Sequence, residues 1–334
     1  MKKVLVHYFS GTGNSLKAAK QLAKEECLSE YEFTFHPMEK GQCNIKDYSM
    51  HIFFFPVYAT SVPHLVRKYI HQMEDGNSAT AIIISTNGKI STHIRDGYQG
   101  WALHQARLYL KLKHFDVKIS DTLDLPHNIT NVMPPRKESV NQNILTQGLQ
   151  PITQIAQKIA EQKTYHRSIF PLNFLWSIPF GILYSIFGRR GFGKMFAADS
   201  TCTQCKICVN QCPAHIIKSN NKSIRWGWNC EGCMRCINSC PQKSIQTSTL
   251  RALIMLVSLV ANPLNLLYPY VAEKWNAMFD GIGVHIVAIV YPILAFLILW
   301  VVIDCLFMLL SNFSIFRKII GFGHTKFFGR YQAK

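Results

Sequence analysis

The sequence predicts three structural parts: an α/β domain with a doubly wound parallel sheet, a small α+β domain, and a C-terminal hairpin of two transmembrane helices. Three observations lead to this prediction. Apolar strand-like runs alternate with helix-like segments over the first 165 residues. Eight of the 11 cysteines fall into two groups between positions 202 and 240. Two long uncharged runs follow residue 251.

The first strand and the loop after it form a predicted anion site. Residues 3–9 (KVLVHYF) have the β-branched and aromatic composition of a buried strand, and residues 16–25 (LKAAKQLAKE) have that of a helix. Between them lies the short loop SGTGNS, residues 10–15. Backbone N–H groups in such a loop, together with the dipole of the following helix, attract a phosphate group.

The sequence of this loop indicates which kind of phosphate it would bind. The dinucleotide fingerprint G-x-G-x-x-G is broken because Leu16 stands where its third glycine belongs, and the GK[ST] ending of a P-loop is missing. Hydroxyl groups with backbone amides between them suit a terminal monophosphate such as that of FMN. The predicted phosphate-binding residues are Ser10, Thr12, Gly13, Asn14 and Ser15.

Two further strand ends complete the predicted ligand site. Strands are predicted at 32–38, 51–58 and 79–86, with helices at 61–73, 100–113 and 141–163. In open parallel sheets, ligands lie at the carboxyl ends of the strands. The residues expected to contact a flavin there are Pro56, Val57, Tyr58, Thr86, Asn87 and Gly88. We expect Tyr58 to stack on the flavin ring; the alternative is ordinary packing at a strand end.

The order of these features over residues 1–165 resembles flavodoxin, which implies FMN as cofactor. Two features depart from that family. The loop 87–100 is longer than a flavin site needs, so it either folds over the ring through Tyr98 or docks a partner. This part of the chain is also basic, whereas free-standing flavodoxins are usually acidic. A flavodoxin-like domain that has lost FMN is therefore an open alternative.

The cysteine groups predict two [4Fe–4S] clusters. Each group spells C-x2-C-x2-C-x3-C-P, and this spacing lets three thiolates bind one cubane while the fourth binds the neighbouring one. Structural zinc is typically bound by two separated pairs of ligands, which this spacing does not match. The predicted ligands are Cys202, Cys205, Cys208 and Cys240 for the first cluster, and Cys230, Cys233, Cys236 and Cys212 for the second. Cys27, Cys43 and Cys305 are interpreted as ordinary small apolar residues.

The repeat resembles the two-cluster bacterial ferredoxins over residues 198–248, and that resemblance implies a pseudo-twofold α+β domain. Together, the two domains resemble the fused flavodoxin–ferredoxin proteins of anaerobic bacteria and archaea. Lys206 and Arg235 lie within the cysteine loops. Positive charge there is expected to favour a reduced cluster, unless both side chains are merely solvated.

The C-terminal part, residues 249–312, is predicted to cross a membrane twice. The uncharged runs at 252–272 and 286–303 are each long enough to span a bilayer, and two buried core helices are the alternative. Basic residues follow the second run, so the positive-inside rule places both ends of the hairpin in the cytoplasm. Residues 313–334 are then a basic cytoplasmic tail, and Asp304 lies near the cytoplasmic end of its helix.

A third apolar run, residues 169–187, lies in the segment 166–197 between two domains that both belong in the cytoplasm. One crossing would export the cysteines, and the run is too short to cross twice. We therefore expect 166–197 to be an interfacial linker that lies on the membrane or packs against the spans.

These features predict a membrane-anchored electron-transfer protein at the cytoplasmic face of the inner membrane, with FMN and two [4Fe–4S] clusters as cofactors. We expect redox donor and acceptor proteins as partners. No nucleic-acid-binding motif is present, so nucleic acid is not expected. An oxidoreductase that reduces a quinone or small substrate at the flavin is one alternative. A redox sensor, or an electron donor dedicated to one enzyme, is another. Catalytic side chains are not predicted, because the chemistry would belong to the cofactors.

Overall fold

The structure is a computed structural model that describes residues 1–89, 99–168, 171–220, 223–276 and 282–333. Its N-terminal half is built on a six-stranded sheet in which all neighbouring strands are parallel. The strands are β1 (Lys2–Tyr8), β2 (Tyr31–Pro37), β3 (Met50–Pro56), β4 (Thr80–Lys89), β5 (Asp116–Pro126) and β6 (Tyr165–His166). Their spatial order, β2-β1-β3-β4-β5-β6, contains the flavodoxin-like order 2-1-3-4-5.

Helices cover both faces of this sheet, as the doubly wound prediction requires. They are α1 (Asn14–Leu22), α2 (His64–Gln72), α3 (Ala102–Lys111), α4 (Glu138–Leu149) and α5 (Pro151–Ala160). One core contains buried side chains of α2 and α3, and the other contains those of α1 and α5. The predicted fold class is therefore confirmed for this half of the chain.

β5 and the division between α4 and α5 are not predicted from the sequence. β5 reads DVKISDTLDLP, and its centre carries the buried polar side chains of Ser120, Asp121 and Thr122. These residues break the apolar run that predicts a buried strand. The helix predicted at 141–163 is in fact α4 followed by α5. Pro151 begins α5, and because proline has no N–H it cannot continue the hydrogen bonds of α4.

The small domain is formed by two antiparallel strand pairs and two short helices. The elements are β7 (Phe196–Ala198), α8 (Ile207–Asn210), β8 (Ile217–Asn220), β9 (Ser223–Trp226), α9 (Arg235–Ser239) and β10 (Ile245–Thr247). β7 pairs with β10, and β8 pairs with β9. Left-handed backbone recurs at equivalent positions of the repeat, at Gln204 and Gly232, Lys206 and Met234, and His215 and Lys243. The two cysteine segments therefore share one backbone path.

The predicted linker is a helix that connects the two domains. α6 (Pro171–Leu183) continues through a π-helical turn (Tyr184–Gly188) into α7 (Arg189–Met195). Its inner side lies against the carboxyl edge of the large sheet, where Thr60 Oγ1 donates a hydrogen bond to the Ser177 carbonyl oxygen (2.8 Å). The outer side leaves Trp176 70% exposed, together with Phe180 and Leu183. The last turns of the helix reach the C-terminal helices, where Gly191 faces Trp300 and Met255.

The C-terminal helices form a hairpin whose two ends meet at the small domain. They are α10 (Thr249–Val260), a 3-10 turn (Pro263–Leu267), α11 (Tyr268–Asn276) and α12 (Ile282–Leu310). Two stretches, Thr249–Trp275 and Val290–Leu310, are long and apolar enough to cross a membrane, and little of either is buried within the protein. This exposure does not fit the alternative of two buried core helices.

The predicted basic tail packs against the rest of the molecule. It forms α13 (Ser314–Ile320) and a 3-10 turn (His324–Phe327), and an antiparallel bridge joins Gly323 to Ser248. The side chains of Thr325 and Tyr331 are buried. The Tyr331 hydroxyl donates to Asn14 Oδ1 (2.6 Å), so the tail reaches the predicted phosphate loop.

Candidate functional site

The eight repeated cysteines separate into two groups of four. Cys202, Cys205, Cys208 and Cys240 line one cavity, and Cys212, Cys230, Cys233 and Cys236 line another. Each group combines the first three cysteines of one sequence repeat with the fourth cysteine of the other repeat, which is the arrangement expected from the spacing. Within the described residues, no three Cys, His, Asp or Glu side chains converge as they would on one metal ion. A cubane has a different requirement, because each thiolate binds a different iron.

Burial makes the thiols of Cys208, Cys230, Cys233 and Cys236 weak acids without metal. Burial, with a smaller contribution from Cys212, raises the pKa of Cys230 and of Cys233 to about 12, although Arg235 opposes the rise at Cys233. Burial raises the pKa of Cys208 to about 11, with Cys202 and Cys240 adding to the effect. Iron must therefore displace these protons when it binds, as metal ions do at thiolate sites.

A small polar cavity lies at the carboxyl ends of β1, β3 and β4. It is lined by ten of the eleven residues predicted to contact FMN, namely Ser10, Thr12, Asn14, Ser15, Pro56, Val57, Tyr58, Thr86, Asn87 and Gly88. The eleventh, Gly13, has left-handed backbone (φ 102°) and donates its N–H to Ser10 Oγ (3.1 Å). Pro126 and Asn128 also line the cavity, and sequence analysis missed them because it missed β5.

The polar atoms of this cavity fit a phosphate group, but its volume is small. Thr12 Oγ1, Tyr58 Oη and Asn87 Oδ1 are buried without a hydrogen-bond partner, and such atoms normally find one in a protein or its ligand. The cavity measures only about 20 Å³, so in this conformation it holds a group about the size of one water molecule. The Cys233 carbonyl lies against Gly11, which lines the cavity, and Ala333 lies against Gly13 in the same loop.

Tyr58 does not present a free ring face at this edge. Its side chain is 9% exposed and packs in the core with Phe9, edge to face at 6.3 Å. Burial raises the pKa of its hydroxyl well above the usual value. The position thus corresponds to strand-end packing. Most of the loop 87–100, including Tyr98, lies outside the described residues, and β4 extends to Lys89.

The second cysteine segment docks directly on the predicted phosphate loop. Arg235 Nη2 donates to the Ser10 carbonyl oxygen (2.7 Å) and to Glu39 Oε1 (2.8 Å). The buried carboxylate of Glu231 accepts from the Leu65 N–H (3.0 Å) at the start of α2, where the helix dipole favours negative charge. The chain therefore brings the predicted phosphate site and the Cys230 group together at one edge of the sheet.

The two basic residues of the cysteine loops have different environments. Arg235 is engaged in this contact between domains, whereas Lys206 is exposed to solvent. Sequence analysis had no signal for the partner of Arg235, because Glu39 lies 196 positions away in the chain.

Comparison with known proteins supports the assignment of the small domain. A family model described as a 4Fe–4S dicluster domain matches residues 194–248. No curated protein matches the chain. This segment is therefore an iron–sulfur domain, and the chain is a redox protein that transfers electrons.

Solved structures similar to the chain cover about half of it. A Fusobacterium nucleatum flavodoxin bound to flavin mononucleotide is 12% identical, with a TM-score of 0.35, and the match covers 49% of this chain and 99% of that one. Oxidised flavodoxin 2 from Bacillus cereus is 12% identical, with a TM-score of 0.34, covering 48% and 99%. An azoreductase from Bacillus anthracis is 11% identical, with a TM-score of 0.34, covering 47% and 100%.

Proposed function

We propose that this chain is a membrane-anchored electron-transfer protein in which FMN and two [4Fe–4S] clusters exchange electrons at the cytoplasmic face of the inner membrane. When bound, FMN supplies two-electron chemistry and the clusters supply one-electron transfer. The contact between Gly11 and Cys233 carries the proposal, because it joins the phosphate loop to a cysteine that would bind a cluster.

The chain's own residues would hold the cofactors. The two groups of four cysteines are the proposed cluster ligands, each group taking its fourth thiolate from the other segment. The hydroxyl of Thr12 and the backbone of loop 10–15 would bind the FMN phosphate, and the side chain of Asn87 would contact the flavin. Binding requires the tail residue Ala333 to move, since it now covers Gly13.

Exposed apolar surface supports a membrane anchor. Side chains such as Leu256, Val260, Ile298 and Leu309 are about half exposed or more along the hairpin, and water would not favour such a surface. The outer side of α6 adds Trp176 and its neighbours, which would suit the membrane interface. We therefore propose domains at 1–165, 198–248 and 249–312, with 166–197 as an interfacial linker and 313–334 as a cytoplasmic tail.

Anaerobic reconstitution of the full chain in detergent tests this function. We expect iron and sulfide for two cubanes, one FMN after extraction, and an EPR signal of reduced [4Fe–4S] clusters. Full iron with no flavin would remove the FMN part of the proposal. Zinc or disulfides in place of iron and sulfide would remove the electron-transfer function.

A further inference from the structure

A cavity lies between the small domain and the membrane hairpin. Its volume is about 310 Å³, within the range of small-molecule sites. Cys202 and Gln204 form one wall, and Asp304, Met308 and Ser311 at the end of α12 form another. None of these residues belongs to the FMN site.

This cavity adjoins the first cysteine group. Cys202, Gln204 and Ile224 line both this cavity and the smaller one shared by Cys202, Cys205, Cys208 and Cys240. A single layer of side chains thus separates the two spaces. A molecule bound here would lie next to the proposed first cluster, on the side of the small domain away from the FMN site.

The cavity also lies at the membrane end of the chain. Met308 and Ser311 occupy the last turn of α12 and the residues just after it, where the hairpin returns to the small domain. Leu306 and Leu309 in the same turns are exposed. A ligand dissolved in lipid would therefore reach the cavity without crossing water.

The side chain of Arg251 contributes a buried donor to the cavity wall. Arg251 Nε is buried and unpaired, although its Nη1 donates to the Lys194 carbonyl oxygen (2.8 Å). A buried donor of this kind is costly unless a ligand satisfies it. Beside it, Lys194 Nζ lies 2.6 Å from Asp304 Oδ2, and both side chains are almost fully buried.

The position of the cavity, rather than its charge, favours a quinone over a lipid phosphate. Arg225 donates to the Met308 carbonyl oxygen, Arg317 donates to that of Ser311, and Lys318 also lines the wall. Asp199 lies in the same wall, whereas Asp304 is paired with Lys194. These cations would also attract an anionic headgroup, but only a redox-active ligand makes use of a place beside the Cys202 group, and its carbonyl oxygen needs only the Arg251 donor.

We propose that this cavity binds the headgroup of a lipid-soluble quinone, which accepts electrons through the Cys202 group. The inference rests on the proposed electron-transfer function and names its acceptor. A quinone takes two electrons, which a reduced cytoplasmic donor supplies singly through the iron–sulfur domain. It takes two protons from cytoplasmic water and leaves as quinol. Arg251 Nε donates to one carbonyl oxygen of the quinone.

Photolabelling of the full chain in phosphatidylcholine nanodiscs tests this site. An azido-quinone should label peptides that contain residues 199–204 and 304–311, and unlabelled quinone should compete. In Arg251→Gln, about ten times more unlabelled quinone should be needed to prevent labelling, because the loss of one charge-assisted hydrogen bond weakens binding by about that factor. Arg190→Gln is the matched control, because Arg190 is a guanidinium outside the cavity that donates to the Ser185 carbonyl oxygen. Met308→Trp should block labelling by filling the cavity, with iron content unchanged.

Labelling elsewhere, or competition that Arg251→Gln and Met308→Trp leave unchanged, would overturn the proposal. Displacement of the label by phosphatidylglycerol but not by quinone would also overturn it, and would indicate a lipid phosphate site. Failure of the electron-transfer function is distinguishable, because it would appear as missing iron or missing EPR signal in the reconstitution. A second measurement is the rate at which quinone reoxidises clusters reduced with dithionite. Both proposals would be supported if this rate is the same in wild type and in Arg190→Gln but lower in Arg251→Gln.

Discussion

The carbonyl oxygen of Cys233 lies directly against the Cα of Gly11, so closely that a β-carbon at Gly11 would collide with it. One partner belongs to the predicted phosphate loop and the other to the predicted ligands of the second cluster. The two predicted sites are therefore joined by backbone contact. Five predictions follow from this arrangement and from the groups around it.

Gly11→Ala should weaken the docking of the small domain. Its methyl group would force the Cys233 segment away, and overpacking of this kind typically costs about 1–3 kcal/mol of unfolding free energy. Chemical denaturation of the full chain measures the loss. Gly191→Ala is the control, because its β-carbon meets only side-chain ends of Trp300 and Met255 at 3.3 and 3.4 Å. Equal stability of the two variants would contradict the prediction.

Arg235 and Glu39 should be energetically coupled across the domain contact. Their ion pair at 2.8 Å is only about one-fifth exposed, so we expect a coupling free energy of about 1–2 kcal/mol. A double-mutant cycle with Arg235→Gln and Glu39→Gln measures it. Lys206→Gln, which alters the exposed cation of the other cysteine loop, should show no coupling to Glu39→Gln.

Each cluster is proposed to take its fourth thiolate from the other cysteine segment, and EPR spectra of single cysteine variants should show this. Cys212→Ser and Cys230→Ser should each damage the same cluster, and should leave the same residual EPR spectrum. Cys240→Ser should match Cys202→Ser instead, because those two sulfurs share a cavity. Cys305→Ser should resemble wild type. If Cys212→Ser and Cys202→Ser left the same residual EPR spectrum, each segment would bind its own cluster, and the proposed sharing of the fourth cysteines would be wrong.

The large domain should lose stability in mild acid. Burial lowers the pKa of His51 to about 4, and burial lowers that of His7 well below its usual value; the two rings are hydrogen-bonded at 3.1 Å. The unfolded chain protonates these histidines near pH 6.5 while the folded chain does not, so the unfolding free energy falls between pH 6.5 and about 4.

His51→Gln should reduce this pH dependence, because it removes one of the two titrating groups. Hydrogen exchange of strand β1 across that pH range measures the effect without relying on the acid-labile clusters. A variant at an exposed histidine, His114→Gln, should keep the wild-type slope near β1.

Removal of residues 332–334 should speed FMN binding. Ala333 N donates to the Thr12 carbonyl oxygen (2.8 Å) and Ala333 covers Gly13, so the tail must leave before a phosphate enters. One hydrogen bond of about 1 kcal/mol corresponds to a rate increase of about fivefold. Quenching of FMN fluorescence in stopped flow measures the rate. An unchanged rate, with FMN still bound, would place the phosphate elsewhere.

The local chemistry of the site was predictable wherever neighbouring residues encode it. The loop 10–15 follows a strand directly, and each cysteine group lies within 11 residues, Cys202–Cys212 and Cys230–Cys240, so both signals survive without tertiary information. β5 was not predictable in this way. Its buried Ser120, Asp121 and Thr122 are tolerated because neighbouring strands and side chains satisfy their polar groups, as Ser85 Oγ does for Thr122 Oγ1 at 2.9 Å.

Sequence by itself determined the doubly wound sheet, the position of the phosphate loop, the two cysteine groups and the two apolar helices, because each depends on residues near one another in the chain. Tertiary structure alone decided that Arg235 meets Ser10, that the tail covers Gly13, and that a cavity separates Cys202 from Asp304. These contacts join residues about 100 to more than 300 positions apart. Such pairs leave no periodic pattern in the sequence, because their proximity arises only when the domains pack.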